Sequence, residues 1–342
     1  MKYILNLGEA LIDVIPTTKV RLEENCYAPH PGGAIANVAV AIARLGGAAR
    51  FVGGMSEDEF GKLLTQVLAD NDVDTQYVEV IKGAATAVAL VTLDGDGQRH
   101  FTFFRQRTAD VQLRAEYLNW NAWQDVAVCH VGGVLLSVEP ARSATFAAME
   151  HTRQVGSIVS FDVNIRPMLW ESRVEIRDMV AEAIARADIV KLSADEAEFV
   201  GDVSSLATES TEKGRMYRLG EALLERGPRL VIITSGAQGA LLLTDKQRVE
   251  VPPLPVRAVD TTGAGDAFIG AVLYKLVQQG CDVPSDLAVL SEQSLRDLGG
   301  FANLVAGLSV TRYGGISSFP FMQEVKDFVA LGQKFQGRLD DM

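Results

Sequence analysis

The sequence predicts an α/β fold with a mostly parallel sheet and helices on both faces. Two observations carry this. Short apolar runs of strand character alternate with helical patterns along most of the 342 residues. Two segments near the start, one irregular and polar and one β-rich, break that rhythm, which predicts a small sheet outside the main one. Composition agrees. With 48% hydrophobic and 22% charged residues, the chain can bury a sizeable core without disulfide staples.

Tyr3 to Leu7 is a short apolar strand. Asn37 to Leu45 is rich in Ala, Val and Ile and predicts a buried helix ending at Gly46-Gly47. Arg50 to Gly53 begins another strand, and Glu59 to Ala69 has the period of an amphipathic helix. The alternation continues through strand Val126–Val131, helix Ala141–Thr152, strand Ser157–Asp162, helix Val174–Ala185 and strand Ile189–Leu192. Strand Leu230–Thr234 and two helical stretches close the chain. The first exception, Asp13 to His30, is polar and has no helical period. The second, Thr86 to Arg105, holds two β-rich runs, Ala87–Leu93 and Arg99–Phe104. Between them Asp94-Gly95-Asp96-Gly97 signals a hairpin. These segments read either as surface excursions or as a lid. Ser204 to Gly214 is polar and reads as a loop between helices. No repeat or interdomain linker is visible, so residues 1–342 read as one domain.

The formal charge is −12. A broad electrostatic grip on nucleic acid needs clustered excess Lys and Arg and is excluded. An acidic chain can still hold a phosphate locally, with helix N-termini, a few cations and a metal. Cys26, Cys129 and Cys281 lie far apart, with no CxxC, against both a disulfide framework and a zinc cluster. The apolar start is too short for a signal peptide, and no run reaches the roughly 18–20 residues of a membrane span. The expectation is a soluble cytoplasmic protein with no membrane partner.

Several catalytic signatures are absent: GxxxxGK[ST], GxSxG, HExxH and GxGxxG. The informative stretch is Asp260-Thr261-Thr262-Gly263-Ala264-Gly265-Asp266-Ala267-Phe268, followed by an apolar helical pattern to about Gly280. A Gly-Ala-Gly turn opening a buried helix offers free N–H groups and a favourable dipole to an anion. Asp266 in a first turn can be a simple cap. Two glycines, two threonines and two aspartates within seven residues shift the balance toward function. A second cluster, Pro31-Gly32-Gly33-Ala34-Ile35-Ala36-Asn37, also opens a helix. Its glycines let a polyhydroxylated ligand touch backbone, and Asn37 can donate and accept. A tight turn is the competing explanation.

Asp260 to Phe268 matches the C-terminal signature of the PfkB, or ribokinase-like, carbohydrate kinases. Gly32 to Gly47 resembles the family's N-terminal signature, and Gly8-Glu9-Ala10-Leu11-Ile12-Asp13 its opening strand and substrate aspartate. The resemblance runs from about residue 3 to about Pro320. It implies a three-layer α/β/α sandwich with a small β-sheet lid, formed here by insertions at about 13–30 and 84–107. Phe101-Thr102-Phe103-Phe104-Arg105 with Ala109-Asp110, and Asp162-Val163-Asn164-Ile165-Arg166-Pro167-Met168-Leu169-Trp170, resemble the fructokinases most. Kinases of 2-keto-3-deoxygluconate and of aminoimidazole riboside share much of this pattern.

The resemblance implies transfer of the ATP γ-phosphoryl group to a primary alcohol, most simply of D-fructose. Asp266 would be the base, because an alcohol needs a positioned proton acceptor near neutral pH. Gly263, Ala264 and Gly265 would bind the transferring phosphate through N–H groups, and Arg166 would reach that phosphate or a sugar hydroxyl. Asp13, Gly32, Gly33, Asn37 and Arg105 would hold the sugar. Ser193, Thr234, Gly236, Gly239 and Asn303 would line the nucleotide site, with Ser193 standing where many members carry Asn. Glu196 would organise Mg²⁺ through water, and Asp260 and Thr262 are candidates beside a K⁺ ion. A homodimer through the lid is compatible with the family. The rival classes are a nucleoside kinase, a non-catalytic sugar or nucleotide sensor, and a Rossmann dehydrogenase, the last disfavoured by the missing fingerprint.

Overall fold

The computed structural model describes residues 2–16, 26–93, 99–200 and 211–340. Its strands are β1 (Tyr3–Leu7), β2 (Leu11–Pro16), β3 (Tyr27–Gly32), β4 (Ala49–Val52), β5 (Gly54–Met55), β6 (Glu79–Val80), β7 (Val88–Leu93) and β8 (Arg99–Phe104). They continue as β9 (Val126–Gly132), β10 (Ile158–Asp162), β11 (Ile189–Ser193), β12 (Leu230–Thr234), β13 (Ala240–Leu243) and β14 (Arg248–Val251). The large sheet has the order β14-β13-β12-β11-β10-β9-β1-β4. Every neighbouring pair from β4 to β12 is parallel, and β13 and β14 turn back antiparallel. The α/β class and the mostly parallel sheet are as the alternation predicts.

Helices α1 (Ala34–Arg44), α2 (Glu59–Asp70), α3 (Ala141–Gln154), α4 (Arg173–Arg186), α5 (Glu212–Leu224), α6 (Ala264–Gln278), α7 (Glu292–Ser309) and α8 (Met322–Asp340) complete the layers. One face of the large sheet packs on α1, α6 and α7, the other on α3, α4 and α5. Helix α1 begins at Ala34, three residues before the position its apolar pattern suggests. Gly33 caps it at φ 101°, a conformation that favours glycine, and a Cβ there would stand 2.7 Å from the Glu9 carbonyl oxygen. Small residues on α1 admit α6 closely: a Cβ on Gly270 would lie 2.9 Å from that of Ala41. No helix among the described residues is long and apolar enough to cross a membrane.

The small sheet, β3-β2-β7-β8, draws on both segments that break the main rhythm. Strands β7 and β8 pair antiparallel from Val88↔Phe104 to Leu93↔Arg99. The predicted hairpin tip, Asp94 to Gly97, lies outside the described residues, as does most of the predicted loop 204–214. The end of that loop is helical instead: α5 starts at Glu212 because the Thr211 hydroxyl caps it, accepting from the Gly214 N–H.

Strand alternation leaves a buried polar layer at the carboxyl ends of the central strands. Asn6, His130, Ser160, Asp162 and Lys191 take every second position with the apolar residues that face α1 and α6. Each is buried. Their register brings Asn6 beside His130, His130 beside Ser160, and Asp162 beside Lys191. Within this layer Lys191 lies against the first turn of α6.

Candidate active site

Two cavities open at the carboxyl ends of the parallel strands, the edge at which open α/β sheets bind ligands. The first, about 320 Å³, is walled by Glu9 after β1, Val134 after β9, Asn164 and Arg166 after β10, and Phe101 and Phe103 of the small sheet. It lies near the point where the chain, having run from β1 out to β4, returns to β9 on the other side of β1. Asp13, Gly33, Ala34 and Asn37 close one side, and Thr261, Thr262, Gly263 and Asp266 form its floor. The rings of Phe101 and Phe103 stack 6.2 Å apart.

The second cavity, about 490 Å³, is lined by Thr234, Gly236, Gly239, Leu254, Phe268 and Asn303, with Thr261, Ala264 and Gly265 among its other walls. Here the backbone comes very close. Gly239, at φ 94°, leaves only 2.1 Å between an imagined Cβ and the Val251 carbonyl oxygen. Asn303 donates through Nδ2 to the carbonyls of Val251 and Pro252, which braces the chain leaving β14.

The turn from Thr261 to Gly265 is the partition between the cavities. Asp260 holds it. Its Oδ1 accepts from the N–H and hydroxyl of Thr262, and its Oδ2 accepts from the Gly314 N–H. Gly263 caps α6 in the left-handed region at φ 75°. The Ala264 N–H donates to the Thr261 carbonyl at 3.2 Å. Asp266 follows in the first turn of α6, with Oδ2 accepting from Asn37 Nδ2 at 2.8 Å. That bond joins the two glycine-rich clusters, 229 residues apart in sequence. Burial raises the Asp266 pKa above the usual carboxylate value, opposed by the Asn37 hydrogen bond and by the positive charges of Lys191 and Arg166.

Lys191 lies beneath this turn. Its Nζ donates to Asp162 Oδ2 at 2.9 Å, and a Cβ on Gly265 would meet that same Nζ at 3.0 Å. Burial opposes its charge, yet Asp162 and Glu196 outweigh burial and raise its pKa. Glu196 is committed to backbone: Oε1 accepts from the Ile165 N–H and Oε2 from the Ser193 N–H. It thereby fixes the turn after β10 that presents Asn164, itself at φ 36°, and Arg166 to the first cavity.

The structure thus brings Asp13, Gly33, Asn37, Arg166, Gly263 and Asp266 together around the first cavity. It brings Thr234, Gly236, Gly239, Ala264, Gly265 and Asn303 around the second. Gly32, Arg105, Ser193, Glu196 and Asp260 line neither. Gly32 stands behind Asp13, where a Cβ would come within 2.3 Å of Oδ2. Arg105 is buried, with Nε on Asp110 Oδ2 at 2.6 Å and Nη1 on the Val134 carbonyl at 3.1 Å. Sequence reasoning missed Glu9 and Lys191 as site residues. A lysine inside the apolar run Ile189-Val190-Lys191-Leu192 was the available signal, since lysine is rarely buried without a partner.

A sequence model of the pfkB family carbohydrate kinases matches residues 1–322. The chain therefore belongs to the pfkB family of carbohydrate kinases. Fructokinase-1 of Oryza sativa subsp. japonica is 41% identical over 324 residues, 94% of this chain and 96% of its own. The structure of a fructokinase from Xylella fastidiosa with bound ATP superposes with a TM-score of 0.86 at 33% identity, covering 97% of this chain and 99% of that one. A fructokinase from Vibrio cholerae O395, in a form with fructose, ADP and calcium ion bound, gives a TM-score of 0.80 at 33% identity, covering 96% and 99%.

Proposed function

We propose that this chain is an ATP-dependent fructokinase that transfers the γ-phosphoryl group to the 6-hydroxyl of D-fructose. One observation carries the reading: a single glycine turn walls both cavities, and Asp266 stands at that junction on the side of the first cavity. ATP occupies the second cavity, against Thr234, Gly236, Gly239 and Asn303, and fructose the first. The sugar hydroxyl meets Asp266, which takes its proton as the oxygen attacks phosphorus. Charge on the transferring phosphoryl group falls to the N–H groups of Gly263 and Gly265, with the Ala264 N–H shared with Thr261. Arg166 neutralises it from the opposite wall. The small sheet acts as a lid, its two stacked phenylalanines excluding water that would compete as acceptor.

The charge of the first cavity favours fructose over a keto-acid. Three carboxyl groups, Glu9, Asp13 and Asp266, line it against one guanidinium, Arg166, and Glu9, held at about 7, carries part of a negative charge near neutral pH. The Arg105 charge is already matched by buried Asp110. A carboxylate substrate would need an unmatched cation.

Magnesium enters as MgATP. No group of three His, Cys, Asp or Glu side chains among the described residues is arranged to hold a metal. Glu196, whose carboxylate orders the adjacent backbone, would hold Mg²⁺ through water, and the ion would supply neutralising charge to the phosphates. A monovalent cation beside Asp260 and Thr262 is tested by turnover in K⁺ against choline. A homodimer through the lid fits exposed Tyr27 and Phe104 on its two edge strands, and sedimentation measures it. The experiment for the function itself is incubation of the full chain with MgATP and D-fructose. ADP and fructose 6-phosphate, identified by NMR, are expected; a product phosphorylated at another oxygen, or none, contradicts the reading.

A further inference from the structure

Glu9, on the wall of the first cavity, and Arg105, behind that wall, each bury one polar atom without a hydrogen-bond partner. Glu9 is 1% exposed and forms part of the cavity wall. Its Oε1 accepts from the Ala34 N–H at the start of α1 at 2.9 Å, whereas Oε2 has no hydrogen-bond partner. Arg105 uses Nε on Asp110 and Nη1 on the Val134 carbonyl and Ser137 hydroxyl, and its Nη2 has none. Val134 is itself a wall residue, so Arg105 stands directly behind that wall.

A buried carboxylate oxygen and a buried guanidinium N–H are costly to leave unsatisfied, and native structures seldom do so without cause. The Glu9 oxygen belongs to a cavity-wall residue and would be satisfied by a hydroxyl that donates to it. We infer that Glu9 is a sugar-binding residue, its Oε2 holding one hydroxyl of the acceptor. This rests on the first cavity being the sugar site. Burial holds the Glu9 carboxyl at about 7, against the pull of Arg105. Near neutral pH it is therefore shared between a form that accepts and a form that also donates, either of which suits a hydroxyl. A fixed structural water is the competing partner of Glu9 Oε2.

The test is a mutant-by-substrate cycle on the full chain with MgATP. Wild type first identifies its preferred sugar, and the monodeoxy analogues of that sugar are then compared. A wrong fructose reading thus shows in wild type alone and leaves the cycle intact. One analogue should lose roughly 10- to 100-fold in kcat/KM with wild type. Glu9→Ala should lose a similar factor on the parent sugar, almost nothing more on that analogue, and leave the KM for ATP within about twofold. Glu9→Gln keeps an acceptor for Ala34, so it serves if the alanine variant fails to fold, with a smaller loss and the same non-additivity. The inference is overturned if the variant's penalty is equal on every analogue and the parent, as a structural water predicts. It is also overturned if ATP and sugar constants move together.

Discussion

In the proposed reaction Asp266 is the base, and three residues oppose its burial. Asn37 donates to its Oδ2, and Lys191 and Arg166 hold positive charge near it. Asp266→Asn removes the base while nearly preserving shape. Turnover should fall by about 10²–10⁴-fold with ATP affinity little changed; turnover within threefold of wild type sinks the assignment. The raised pKa has a sign that can be checked. Activity of wild type should climb with pH through a limb above the ordinary aspartate value, as the carboxylate ionises. Asn37→Ala removes a hydrogen bond to the ionised form, so the limb should move to still higher pH. A limb that stays in place in kcat/KM profiles contradicts the Asn37 contact. Lys191→Met strands buried Asp162 and should cost about 3–5 kcal/mol in denaturant unfolding. Adding Asp162→Asn should recover part of it. The placement of Asp266 and the glycines at the start of α6 was legible in sequence because it is local to one turn. Lys191 and Glu9 were not, because their roles arise from burial and from strands brought together by register.

At the scale of elements, the N-terminus of α6 is where packing and chemistry coincide. Gly265 has little room, with Lys191 Nζ 3.0 Å from where a Cβ would sit. The obstacle is the end of a flexible side chain, so the helix should survive a substitution while the phosphate's place does not. Gly265→Val should reduce kcat by about 10²-fold, comparable to losing one oxyanion donor, with a melting temperature within a few degrees of wild type. A lost melt alongside normal activity in the folded fraction would instead make Gly265 a folding glycine. Most elements were legible from period alone, since buried strands and amphipathic helices write their environment into the chain. The starts of α1 and α5 were less so, because capping by Gly33 and Thr211 sets them before the apolar pattern begins. The small sheet could be foreseen as β-rich, but not its parallel β2–β7 pairing, which depends on how two distant segments meet.

Across the whole molecule, buried ionisable groups near the site make stability depend on pH in opposing directions. Burial raises the Glu9 carboxyl from 4.5 to about 7, so its contribution is complete below 4.5 and lost as pH rises through 7. That rise corresponds to about 3 kcal/mol. Burial, aided by Lys191, lowers His130 from 6.5 to about 3, so its contribution is present above 6.5 and lost as pH falls toward 3. Glu9→Gln removes only the first. Its stability relative to wild type should therefore improve between pH 5 and pH 8, read from urea unfolding at each pH; a constant difference contradicts the buried, raised carboxyl. On the proposed reading the same acidic lining selects the substrate. Three carboxyl groups against one guanidinium should admit a neutral ketose and disfavour a keto-acid. The most direct measurement is kcat/KM with MgATP for D-fructose beside 2-keto-3-deoxygluconate. The account predicts that fructose wins by tenfold or more; a keto-acid winning by that margin would contradict the fructokinase reading and leave only the sugar kinase.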